Sequence, residues 1–201
     1  MNINRRNFIK LAATSGLLFS FGKVHAATSE KILVVYYSRT GEEYGTGFIT
    51  KGNTAIVAEL IAQKTGADIF EIKPVTPYPD SYEECKKVAS LEKATKARPS
   101  FIGDVDISGY DIIFVGYPIW YGDAPQITYT FLENHDFAGK KIVPFCTSGG
   151  SGLSSTDQNI SLTCPTAQIL QGFEIHGATA QNNSSQTEKL VEDNLKRLGL
   201  I

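Results

Sequence analysis

The chain has 201 residues, of which 42% are hydrophobic, 20% charged and 10% aromatic. That balance excludes disordered, collagen-like and disulfide-framework chains and fits one globular domain. With 19 basic and 21 acidic residues the formal charge is −2, which disfavours a nucleic-acid partner.

Arg5 and Arg6 precede Phe8, and an apolar run from Leu11 to Phe21 follows, interrupted by Thr14, Ser15, Gly16 and Ser20. A bilayer span takes about 20 residues, so the run is too short for a stable anchor, and Val24 and Ala26 fit cleavage before Ala27. Residues 1–26 therefore read as an export signal. With Asn4 and Ile9 as departures, it resembles a twin-arginine signal, which implies export of a folded protein carrying a cofactor. The expectation is an exported, periplasmic protein with one domain over residues 27–201, able to bury roughly 70% of its unfolded surface. Removing the leader deletes Arg5, Arg6, Lys10 and Lys23 and no acid, so 15 basic residues face 21 acidic and the charge moves to −6. This favours a basic partner protein or a small ligand held by local dipoles.

In the mature chain, Ile32 to Tyr37 is a continuous apolar run that reads as a buried strand ending in Ser38-Arg39-Thr40-Gly41. Ile56, Val57, Leu60 and Ile61 recur at helical spacing after Gly52-Asn53-Thr54, and a weaker strand pattern follows from Ala67 to Ile72. A helix is predicted from Tyr82 to Lys96, a strong strand from Tyr110 to Tyr117 and another helix from Pro125 to Glu133. The next strand runs from Lys141 to Cys146, a short helix from Ser155 to Leu162 and a weaker strand from Gln168 to His176. Leu190, Val191, Leu195 and Leu198 mark the face of a last helix. Alternating strands and helices with fully apolar strands imply a parallel sheet covered on both faces.

Ligands of such sheets bind beyond the carboxyl ends of the strands, where strand order reverses. The first loop sets hydroxyls and glycines at a helix N-terminus, an anion site by backbone N–H groups and helix dipole. Capping of the helix by Asn53 or Thr54 is the lesser alternative for that loop when it is taken alone. Pro118-Ile119-Trp120-Tyr121-Gly122 offers an aromatic platform, or a cover for the core edge. Thr147-Ser148-Gly149-Gly150-Ser151-Gly152 has no bulky side chain, so its backbone can approach a ligand closely. Phosphate, ring and polar edge together describe a mononucleotide site.

These three segments resemble the FMN-binding segments of flavodoxins, and the resemblance extends over residues 31–201. It is nearest to bacterial flavodoxin-like proteins reading Tyr-Pro-Ile-Trp-Trp-Gly in the second segment, where this chain has Tyr121 for the second Trp. Pro77-Tyr78-Pro79 and Ala97-Arg98-Pro99 also look like that subfamily. The resemblance implies a doubly wound five-stranded parallel sheet in the order 2-1-3-4-5, three layers, and bound FMN. Ser38, Arg39, Thr40, Gly41, Gly52, Asn53 and Thr54 would hold the phosphate. Trp120 and Tyr121 would bracket the ring, flanked by Pro118, Ile119 and Gly122, and Thr147 to Gly152 would meet its polar edge. The departure is an insertion from Glu42 to Lys51, which either bulges outward or folds back over the flavin.

The implied function is electron transfer between the flavin and a redox partner protein or small-molecule donor or acceptor. An FMN-dependent quinone or small-molecule reductase, and a flavin-free scaffold on the same fold, are the alternatives. Other chemistries lack essential residues. Gly47 to Thr54 has P-loop spacing with Asn53 where the lysine is needed, and Cys146 lacks an arginine six residues on. Ser151 lacks the second glycine of a hydrolase elbow, and His135 and His176 show no ligand spacing. Cys85, Cys146 and Cys164 are odd in number and contain no CxxC, leaving open one disulfide plus a free thiol.

Overall fold

Period-two alternation along the first strand, β1 (Ile32–Tyr36), sends Leu33 and Val35 to one face and Val34 and Tyr36 to the other, and both sets are buried. The computed structural model describes residues 30–201, so the export signal lies outside the described residues. A strand buried on both faces needs helices above and below it. On one side these are α1 (Asn53–Thr65), α5 (Gly177–Asn182) and α6 (Ser184–Arg197), whose Val57, Ile61, Ala180, Val191 and Leu195 pack on Val34 and its neighbours. On the other are α3 (Gln126–Asn134) and α4 (Thr156–Thr163), contributing Ile127, Phe131 and Ile160, with α2 (Tyr82–Thr95) beside α3.

The remaining strands are β4 (Asp68–Glu71), β7 (Ile112–Pro118), β8 (Lys141–Ser148), β9 (Gln168–Ile169) and β10 (Phe173–His176). They pair in parallel in the order β4-β1-β7-β8-β10, with β9 also on β8. This is the predicted 2-1-3-4-5 sheet in three layers, and its order reverses between β1 and β7. The loops after β1, β7 and β8 consequently open at one end of the sheet.

The fifth strand is one run in the sequence reading and two pieces in the structure. Leu170 donates its N–H to Ile142 at 2.8 Å, and the next donor due along that edge of β8 is residue 144, a proline without an N–H. The chain bulges over residues 170–172 and resumes pairing at Phe173, opposite Phe145. Gly172 permits the bulge, because a Cβ there would lie 2.5 Å from the Pro144 carbonyl oxygen.

The insertion forms a β-hairpin of β2 (Gly41–Glu43) and β3 (Gly47–Ile49). A second small pair joins β5 (Lys73–Pro74) to β6 (Phe101–Ile102). All three cysteines are buried and free, so no disulfide forms among them. Among the described residues no helix is long and apolar enough to cross a membrane.

Candidate functional site

The three loops meet in a cleft of about 260 Å³ at the carboxyl end of the sheet. Half of the predicted site residues line it: Arg39 and Asn53 from the first loop, Pro118, Ile119, Trp120 and Tyr121 from the second, and Thr147, Ser148 and Gly149 from the third.

Gly52 precedes the first turn of α1, and no side chain caps the helix from that position. Ser38 instead reaches across, its Oγ accepting from the Ala55 N–H at 3.1 Å. The N–H groups of Asn53 and Thr54 have no acceptor within the helix, which is the condition for an anion site. Asn53 lines the cleft, and among the described residues its buried Oδ1 has no hydrogen-bond partner.

Arg39 was expected at the phosphate, but its guanidinium is spent elsewhere. Nε and Nη2 donate to Pro79 O at 3.1 and 2.6 Å, Nη2 to Asp80 O at 2.6 Å, and Nη1 to Glu42 O and Glu43 Oε1 at 2.7 Å each. All five of its donors are engaged. Arg39 is therefore a buried brace tying the hairpin to the Pro77–Asp80 segment. Burial raises the Glu43 carboxyl above its ordinary value, and the Arg39 bond opposes that rise.

Pro77–Asp80 also supports the second loop. The Trp120 ring packs edge-on against Tyr78 at 5.0 Å and against Tyr37 at 5.6 Å. Tyr78 is itself fixed through its hydroxyl, which donates to Glu92 at 2.9 Å. Trp120 and Asp123 exchange backbone hydrogen bonds at 2.8 and 3.1 Å across a tight turn. That turn puts Tyr121 at φ +52° and Gly122 at φ +74°, so Gly122 serves the turn and does not line the cleft. Tyr121 is held against α2 by its hydroxyl on Lys86 O at 3.1 Å and by Lys93 on its own carbonyl at 2.5 Å.

The third loop curls around Ser148, whose Oγ accepts from the N–H groups of Gly150 and Ser151 at 2.9 Å and donates to Glu174 at 2.8 Å. Gly150, Ser151 and Gly152 are thereby turned from the cleft, and only Thr147 to Gly149 face it. Thr54 is likewise withdrawn, its buried hydroxyl sharing a 2.8 Å hydrogen bond with Thr147. Gly41 packs on Asp80 at φ +101°, Gly52 packs on Ser38, and Thr40 is exposed and does not line the cleft.

Three walls were not named as site residues from sequence: Glu43 and Tyr44 of the hairpin, whose insertion was left to bulge outward or fold back, the Tyr82-Cys85-Lys86-Ala89 face of α2, and Gly177. Tyr82, Cys85, Lys86 and Ala89 do recur at three- and four-residue spacing, which places them on one helix face. Burial pushes the Cys85 thiol up to about 11, so it is a neutral wall at neutral pH.

A family model described as flavodoxin matches residues 31–193. The chain belongs to the flavodoxin family. A search of the curated proteins finds no match. Among solved structures, a candidate flavoprotein from Bacteroides eggerthii is 31% identical, covering 85% of this chain and 98% of its own, at a TM-score of 0.67. One from Bacteroides uniformis is 28% identical over 82% and 99% of the two chains, at 0.65. A Lactobacillus acidophilus flavoprotein solved with FMN shares 20% identity over 78% and 99%, at 0.58, a likeness of fold.

The cofactor that flavodoxin membership brings is FMN, and the residues present fit it. A phosphate matches the free Asn53 and Thr54 N–H groups at the start of α1, and a ribityl hydroxyl would supply the donor that the buried Asn53 Oδ1 lacks. Gly177 keeps that wall open, because a Cβ there would stand 2.7 Å from Asn53 Nδ2.

Proposed function

We propose that this flavodoxin is an exported electron carrier, exchanging electrons through FMN with a redox partner protein or a small-molecule donor or acceptor. The observation that carries the cofactor reading is the buried Asn53 Oδ1, unpartnered among the described residues, beside a helix start whose Asn53 and Thr54 N–H groups have no helical acceptor, in a cleft with Trp120 on its wall. FMN supplies the redox chemistry when bound. The protein's part is to hold it: Ser38 and the first turn of α1 at the phosphate, Asn53 at the ribityl chain, Trp120 at the ring, and Thr147 to Gly149 at the polar edge.

The carrier reading draws support from the charged walls of the cleft, each already paired: Arg39 with Glu43 at 2.7 Å and Lys86 with Glu83 at 3.0 Å. Export rests on the Arg5-Arg6 leader, and the −6 charge of the mature chain suits a basic partner. N-terminal sequencing of protein recovered from the periplasm is expected to begin at Ala27. An intact leader on cytoplasmic protein would refute export.

Full-length protein made with flavin available is expected to be yellow and to release FMN on heating. A colourless protein that also fails to bind added FMN would favour a flavin-free scaffold. Steady NAD(P)H oxidation with a quinone would replace the carrier by the reductase.

A further inference from the structure

The third loop carries no side chain larger than a threonine, so it gives the cleft no wall for the face of a flat ring. The inserted hairpin brings one there. Tyr44, in the turn between β2 and β3, lies with Cδ1 and Cε1 only 3.2 and 3.3 Å from the place a Cβ on Gly149 would occupy. Gly149 is not at positive φ, so its backbone does not call for glycine, and its lack of a side chain leaves the Tyr44 ring room to lie there.

Tyr44 is 71% exposed, an unusual state for a ring lining a cleft. Among the described residues its one aromatic neighbour is Tyr82, at 6.4 Å with the planes 34° apart. The segment that carries it is nevertheless anchored, because the adjacent Glu43 is bound to the buried Arg39 brace. An anchored stem with an exposed ring at its tip, reaching the loop that lacks a ring, is the arrangement needed to cover a planar ligand. Trp120 lines the same cleft from the second loop, backed by Tyr37 and Tyr78.

We propose that Tyr44 is a positioning residue for the cofactor, its ring lying over the flavin ring from the Gly149 side of the cleft while Trp120 holds it from the second loop. The inference rests on FMN being the cofactor. It gives the insertion a purpose, covering the flavin, and it favours the carrier over the reductase. A ring covered in this way presents its edge to a partner protein and leaves an organic substrate no open face to stack on.

The test is titration of full-length apoprotein with FMN and, separately, with riboflavin, following flavin fluorescence, for the unsubstituted protein, Tyr44→Ala and Tyr44→Phe. Losing one aromatic contact on the ring is expected to weaken both ligands about tenfold in Tyr44→Ala. Because riboflavin has the ring without the phosphate, the ratio of the two affinities stays constant. Tyr44→Phe, which keeps the ring, stays within about twofold of the unsubstituted protein. Unchanged affinities in Tyr44→Ala, with tight binding by the unsubstituted protein, would overturn the inference and leave FMN as cofactor. A loss confined to FMN would also overturn it, by placing the effect at the phosphate. An unsubstituted protein that binds neither flavin would overturn the cofactor reading and this inference with it.

Discussion

Replacing Arg39 with methionine is expected to destabilise the protein by about 3–5 kcal/mol at neutral pH, the cost of stranding one partner of a buried ion pair. The Arg39 side chain is 5% exposed and its Glu43 partner 18%, so water relieves the stranded carboxylate only in part. The carbonyls of Glu42 and Pro79 lose their Arg39 donors as well, whereas Asp80 O keeps the Glu42 N–H at 2.8 Å. The loss should depend on pH with a definite sign. Burial already holds the Glu43 carboxyl above its ordinary value, and removing Arg39 removes both influences that lower it. The folded variant then keeps a proton that the unfolded chain releases, so its stability falls as pH rises from about 4 towards the raised folded value. Urea unfolding across about pH 4 to 8 should therefore show a small deficit in acid that grows towards neutrality. A deficit independent of pH would assign the loss to the carbonyls and not to the stranded carboxylate. Adding Glu43→Gln should recover part of the neutral-pH loss.

Gly52→Ala is expected to weaken FMN binding at least about 100-fold, roughly 2.7 kcal/mol, with a stability loss of about 1–3 kcal/mol from overpacking. Gly52 sits at φ −69° and ψ 148°, which any residue can adopt, so the requirement is room. An added Cβ would stand 2.1 Å from Ser38 Oγ and 2.4 Å from the Arg39 carbonyl oxygen. The Ser38 side chain can rotate, but the carbonyl belongs to the backbone, so the first loop must move off the start of α1. The bond from Ala55 N–H to Ser38 is then lost, and Ser38 parts company with the Asn53 and Thr54 N–H groups at the phosphate. Thermal melting with parallel FMN titration separates the two effects. Lower stability with unchanged affinity would show that the phosphate is held elsewhere.

Much of this architecture was legible because β1, β7 and β8 are continuous apolar runs that can only be buried on both faces. Their ends located the three loops, and Trp120, Asn53 and Thr147 to Gly149 line the cleft as read. What was not legible depends on partners distant in the chain. Arg39 looks like a phosphate ligand until Pro79 and Asp80, forty residues on, take its donors. The hairpin was hidden because Glu42 to Lys51 shows no apolar alternation, and its one local signal is the turn, where Gly45 and Gly47 stand at positive φ. Ser148 could not be foreseen as an internal hub, because hydroxyl orientation follows from loop closure and not from residue type. The split fifth strand was in principle readable from Pro144, given the strand order that leaves its missing N–H facing the sheet's last neighbour.

That proline has a consequence for association between copies of the molecule. The β9–β10 position is a sheet edge, and a long straight edge is a template on which another chain can add a strand. Here the edge consists of a two-residue and a four-residue piece, offset by a bulge. A second molecule could match either piece but not both in one register, so the defect in the ladder guards a crowded solution of this protein against edge-to-edge aggregation.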